Sequence, residues 1–209
     1  LSLFSLFAFI FDKYVDDANS VISAQMESQN EASDLLINNT KRLLLQQKLS
    51  LFDDSLLCFV ELQDIGFSVE ETLKALRLIV SDNPEIGRTP WILHELGWLE
   101  NAAGNFHASK NYTEELIKKR KVDYPEEMHP KLIYYKARGY STLGFMYELG
   151  RGVVKSKARA LAHYYVAKAL DPDLCNEEIA DLEKSCTPSQ LEKAENLGEV
   201  IMEEFEVNN

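Results

Sequence analysis

Apolar positions recur at helical spacing through most of this chain, and the polar residues between them have the chemistry of helix ends. Ser68 and Glu71 have the spacing of a capping box that opens a helix over residues 69–81, and Asp82-Asn83-Pro84 closes it. Thr89 followed by Pro90 reads as an N-cap with proline in the first helical position; that helix runs to about Ala103, with Gly104 as the residue beyond its end. Thr187-Pro188-Ser189-Gln190 repeats the device and starts a helix ending near Phe205. Between residues 17 and 66 the chain is first polar and then strongly apolar (43–45, 49–52, 56–60), which predicts two or three helices with Gly66 as a stop. No period-two alternation of useful length occurs, so the expected fold class is all-α.

Two segments of the chain answer one another. Leu96-Gly97 is followed by Gly104-Asn105-Phe106, and Leu143-Gly144 by Tyr147, Gly150, Gly152, Val153, Ala160, Tyr164, Ala167 and Pro172; the two Leu-Gly pairs lie 47 residues apart. The physical logic is a helical hairpin. A glycine after the leucine lets a second helix approach closely, Tyr147 fills the space beside it, and Gly-x-Gly reverses the chain. Ala160, Tyr164 and Ala167 then form the inner face of the returning helix. One such hairpin cannot bury both of its faces, so neighbours must stack on it.

At these residues the chain resembles the Sel-one-like repeat family, relatives of the tetratricopeptide repeat with a longer turn between their helices. The segment GYSTLGFMYELGRGVVKSKARALAHYYVAKALDP carries the resemblance, with sixteen residues from Gly144 to Ala160. The first copy, ILHELGWLENAAGNFHASKNY, resembles the shorter tetratricopeptide form, with Glu100 where a tyrosine is usual and Ser109 where an alanine is usual. The resemblance covers residues 89–173, and residues 182–204 look like the final helix of bacterial members. It implies a short α-solenoid of stacked antiparallel hairpins: two repeats over residues 88–173, capping helices over 174–209, and an additional N-terminal helical region, 1–87, that the resemblance does not reach. Such repeats are usually non-catalytic scaffolds that bind other proteins, found in quality-control adaptors and in bacterial secretion, host-interaction and effector-immunity proteins.

In that family the first helix of each hairpin lines a concave face, through positions five before and two after the leucine and their helical neighbours. Carried onto this chain, the resemblance selects Trp91, His94, Trp98 and Asn101, then Arg138, Ser141, Phe145 and Glu148. Each set also traces one helical stripe by spacing alone. Trp91 and Trp98 are the only tryptophans of the chain, and tryptophan is the residue type most enriched in binding hot spots. On that reading they are apolar anchors, Arg138 and Glu148 orienting charges, and His94 a hydrogen-bonding rim group. The competing reading makes both tryptophans core residues that pack the upstream helices onto the repeat. Tyr134, Tyr135 and Tyr140, and the pair Tyr164-Tyr165, read as packing between helices. Residues 123–127 read as an exposed acidic connector bounded by Pro125 and Pro130.

Composition narrows the function. Nine glycines and six prolines in 209 residues are about 7%, against roughly 12% in ordinary usage, too few for a turn-rich sandwich or barrel. Five of those glycines (97, 104, 144, 150, 152) fall at repeat-defining places, while residues 1–65 hold neither Gly nor Pro. The net charge of −12 offers no basic stripe for phosphates, which argues against a nucleic-acid partner and for a protein partner with a basic patch. The charge-free opening LSLFSLFAFIF is too short to span a membrane. Three readings of it stand side by side: the tail of a secretion signal or anchor, which would favour the bacterial periplasm; an amphipathic partner-binding helix; and a core helix with Ser2, Ser5, Asp12 and Asp16 as its polar stripe. Any membrane contact would run through residues 1–15.

No catalytic, cofactor or metal pattern emerges. His94-Glu95 lacks the second histidine of H-E-x-x-H, and Cys58, Cys175 and Cys186 lack paired zinc-ligand spacing. GRGVVKS lacks the second glycine of a phosphate-binding loop, and no G-x-S-x-G elbow occurs. Cys175 and Cys186 on one helix would stand roughly 16 Å apart, beyond disulfide reach, and would pair only if the chain turns between them. Asn38-Asn39-Thr40 and Asn111-Tyr112-Thr113 fit the glycosylation pattern, which matters only in a eukaryotic secretory setting. The expectation is a non-enzymatic protein-binding scaffold. An immunity protein that occludes a secreted toxic effector, an envelope component held at a membrane, and an enzyme centred on residues 1–87 are the alternatives.

Overall fold

The computed structural model describes residues 20–32, 39, 68–82, 84 and 86–207, and these are helical apart from turns and short connectors, with no strand among them. The chain divides into two compact units, Leu1–Leu56 and Leu57–Asn209. In the first, residues 20–32 are helical and exposed throughout, Val21, Ile22 and Met26 included. The opening apolar run, Cys58 and Gly66 lie outside the described residues. No described helix is long and apolar enough to cross a membrane.

In the second unit, helix α1 spans Val69–Asp82 and begins as its capping box predicts. Ser68 Oγ accepts from the Glu71 amide at 3.2 Å and Glu71 Oε2 from the Ser68 amide at 2.8 Å. Helix α2, Pro90–Ala102, follows an extended Thr89, and helix α3 spans Phe106–Ile117. Helices α1 and α2 pack together, as do α2 and α3. Glu100, which stands where the repeat pattern has a tyrosine, is 1% exposed. Its Oε1 accepts from Arg77 of α1, with Nε at 3.0 Å, and its Oε2 from Asn105 Nδ2 at 2.9 Å. A buried carboxylate costs several kcal/mol unless paired, and this one has partners on both oxygens. It ties α1 to the α2–α3 turn.

The acidic connector is ordered into two short 3-10 turns, Lys121–Asp123 and Glu126–Met128. His129 Nε2 fastens it by donating to the Lys121 and Tyr124 carbonyls at 2.9 and 3.1 Å. Helix α4, His129–Leu149, and helix α5, Lys157–Leu170, form the second closely packed pair. Helix α4 also packs on α3 and α2.

The close approach expected at Gly144 is present. A Cβ there would collide with Cδ1 of Tyr164, so the Tyr164 ring of α5 abuts the glycine. Tyr147, expected to fill the space beside it, stacks on His163 of α5 at 5.3 Å and 9°. The inner-face assignment of α5 holds, since Ala160, Tyr164 and Ala167 are buried. Gly152 has φ +68, which only glycine adopts freely, and a side chain there would also meet the Phe106 carbonyl of α3 at 2.9 Å.

Helix α6, Asn176–Lys184, is followed by α7, Pro188–Val207. The capping box of α7 is formed: Thr187 Oγ1 accepts from the Gln190 amide at 3.3 Å, and Gln190 Oε1 from the Thr187 amide at 2.9 Å. Helix α7 lies along α5, which is thereby covered by α4 and by α7. Near its end, Phe205 sits under the ammonium of Lys136, 4.9 Å from ring centre to Nζ. Lys136 is 1% exposed, and burial pulls its pKa down to about 8. Cys175 and Cys186 flank α6 and are both free thiols.

Two consequences can be measured. Gly144→Ala should destabilise the protein by about 1–3 kcal/mol, the usual cost of overpacking a tight contact, seen as a lower midpoint in thermal or urea melting. His163 is held between Tyr140 and Tyr147 at ring distances of 6.1 and 5.3 Å. Burial, with a smaller contribution from Arg159, lowers its pKa to about 4. The unfolded chain takes up this proton near pH 6.5 and the folded one only near pH 4, so stability present above pH 6.5 is lost as pH falls through that window. The loss is about 3 kcal/mol. His163→Phe should flatten the pH dependence of the urea midpoint between pH 7 and 4.5 relative to wild type.

Candidate partner-binding face

Helix α2 buries seven of its 13 residues and α4 eight of its 21. In α2 the positions left partly open are Trp91, His94, Glu95, Trp98, Asn101 and Ala102; in the middle of α4 they are Arg138, Ser141, Thr142 and Phe145. All eight positions selected from the sequence are at least partly open, as are Glu95, Ala102 and Thr142 beside them. Trp98 and Phe145, each two residues beyond its repeat leucine, are both 37% exposed. Leu96 and Leu143 themselves are buried.

The stripes meet across the α2–α4 contact. The His94 ring of α2 lies 5.7 Å from that of Tyr135 on α4, and Tyr135 meets Tyr134 edge to face at 5.2 Å. The guanidinium of Arg138 stacks over Tyr134 at 4.5 Å. At the other end of α4, the guanidinium of Arg151 lies 5.0 Å from the centre of the Phe145 ring and 5.2 Å from that of Phe106. An aromatic and cationic row thus runs from His94 through Tyr135, Tyr134 and Arg138, and the stripe continues to Phe145 and Arg151.

Not every selected side chain is presented outward. Ser141 Oγ accepts from Cys175 Sγ at 3.2 Å, and Glu148 Oε2 accepts from the Tyr164 hydroxyl at 2.8 Å. Burial and the Glu148 carboxylate both raise the Tyr164 pKa, and burial raises that of Cys175. His94 Nδ1 donates to Glu95 Oε1 at 3.2 Å. Two shielded polar atoms on the stripes, Asn101 Oδ1 and Arg138 Nε, have no hydrogen-bond partner.

Tyr134 and Tyr135, read from the sequence as packing between helices, stand four and three residues before Arg138 and pack on Arg138 and His94. Arg151 and Phe106 carried no signal in the sequence, because the turn after α4 and the start of α3 meet only through the fold. Among the described residues no group of three or more His, Cys, Asp or Glu side chains is placed to hold a metal ion. No family model, no curated protein and no solved structure matches this chain.

Proposed function

We propose that this protein is a non-catalytic scaffold that binds another protein across the face formed by α2 and α4. The two packed pairs, α2 with α3 and α4 with α5, are read as successive hairpins of a short α-solenoid, capped by α6 and α7, as the Sel-one-like resemblance implies. The observation that carries the proposal is the matched exposure of Trp98 and Phe145. Large rings left 37% open, each two residues beyond a buried repeat leucine, are poorly explained by packing. Rings so placed desolvate a large area at low entropic cost when a partner covers them. Trp91, His94 and Asn101 on α2, and Arg138 on α4, complete the contact surface. Ser141 and Glu148 hold the face in shape through Cys175 and Tyr164.

A photo-crosslinking residue placed at Trp98 or at Phe145, in cells that produce the protein, should capture the same single protein from both positions. The same residue at Lys168, exposed on α5, should capture none. The double variant Trp91→Ala, Trp98→Ala should lose that partner while keeping its helical circular dichroism and a melting temperature within about 5 °C of wild type, as expected for side chains outside the core. Unfolding of the double variant would make these residues core and remove the proposal.

A further inference from the structure

The chain carries 34 acidic and 22 basic residues, so a surface arginine should find a carboxylate readily. Arg77 pairs with Glu100 and Arg120 with Asp123. Arg138 and Arg151 do not. Their recorded contacts are with aromatic rings alone, Tyr134 for the first and both Phe106 and Phe145 for the second. Stacking fixes the plane of a guanidinium and leaves those of its N–H groups that reach solvent free to donate; at Arg138 Nε is shielded, so the terminal nitrogens are the donors. Each is therefore a pre-oriented fork for a carboxylate, built at low further entropic cost. The neighbouring carboxylates Glu95 and Glu148 are hydrogen-bonded to His94 and Tyr164 and to neither arginine. Residues 151–159, RGVVKSKAR, which follow α4, carry four basic residues and no acidic one. The two arginines stand on a protein of net charge −12.

We infer that the segment bound by the α2–α4 face is an extended acidic stretch of the partner protein, with one carboxylate on Arg138, a second on Arg151, and an apolar side chain between them on Trp98 and Phe145. This rests on the proposed binding role of that face and adds the chemistry of what it binds. Phe145 lies seven residues beyond Arg138, about 10 Å along the helix axis, and Arg151 stacks on Phe145. The two forks are thus on the order of 10–15 Å apart, a span of about three to five residues of extended chain. The negative charge elsewhere on the molecule repels an acidic partner from other surfaces and so confines it to this one.

The test is an array of random-sequence decapeptides probed with the full chain, followed by fluorescence-polarisation titration of the strongest binders. Peptides with two Asp or Glu residues three to five positions apart around an apolar residue should be enriched, with affinity falling as salt rises. Arg138→Ala and Arg151→Ala should each weaken them at least about tenfold, a typical loss for one charge-assisted contact. Arg151→Lys should recover less than half of that loss in log affinity, because an ammonium lacks the planar fork. Enrichment of basic or uncharged peptides, preference for a single-stranded deoxythymidine decamer, or indifference to both arginine substitutions overturns the inference. Those outcomes leave the docking face standing if binding is still lost in the Trp98→Ala, Phe145→Ala variant. Binders unaffected by that variant, or an array with no binder, remove the face as well.

Discussion

The approach of α5 to α4 at Gly144 is the contact on which the second unit is built. With hydrogen in place of a side chain, α4 accepts the Tyr164 ring directly on its backbone. Tyr164 is then close enough for its hydroxyl to donate to Glu148 one turn further along α4. The same approach brings His163 between Tyr140 and Tyr147, so three consecutive turns of α4 are read by neighbouring residues of α5. Because α5 is small on its other side, with Ala158 and Ala162 buried, α7 can lie against it in turn, with Gly198 beside the Ala162 backbone. Close packing is propagated from one glycine outward, and the open stripe of α4 is what remains uncovered.

Much of this was legible in the sequence because it is written in local chemistry. Capping boxes at Ser68 and Thr187, the proline at position 90 and the left-handed Gly104 each act within four residues, and each marks a helix end found in the structure. The stripes were selected through the repeat resemblance, which counts positions from Leu96 and Leu143, and helical spacing adds only that each set shares one face. What the residues alone could not tell was whether the tryptophans faced water, since that depends on which side α1 takes. Helix α1 meets α2 at Glu100 through Arg77, on the side away from Trp98. Which residue of the α5 inner face meets Gly144 was illegible for a different reason, because the axial offset of the two helices decides it. The hairpin-solenoid reading, the partner and the role of residues 1–67 go beyond what local signals carry.

Charge is the property most easily misread at the level of the whole chain. A net value of −12 describes the far field, which governs steering and solubility. Contact is governed by the few groups that a partner would desolvate. On the α2–α4 face the guanidinium groups of Arg138 and Arg151 lie on aromatic rings, and the Glu95 and Glu148 carboxylates beside them are hydrogen-bonded to His94 and Tyr164. Arginines held by rings rather than by carboxylates keep their hydrogen-bonding capacity, whereas paired ones have spent it.

The Gly152 turn has a mechanical meaning beyond reversing the chain. Its bare Cα rests against the Phe106 carbonyl, so the loop of one helix pair serves as the spacer against which the other pair is seated. The spacing between the pairs is set there by a backbone-to-backbone contact that any side chain at position 152 would pry apart, so the molecule is built at that point less like a hinge than like a wedged joint.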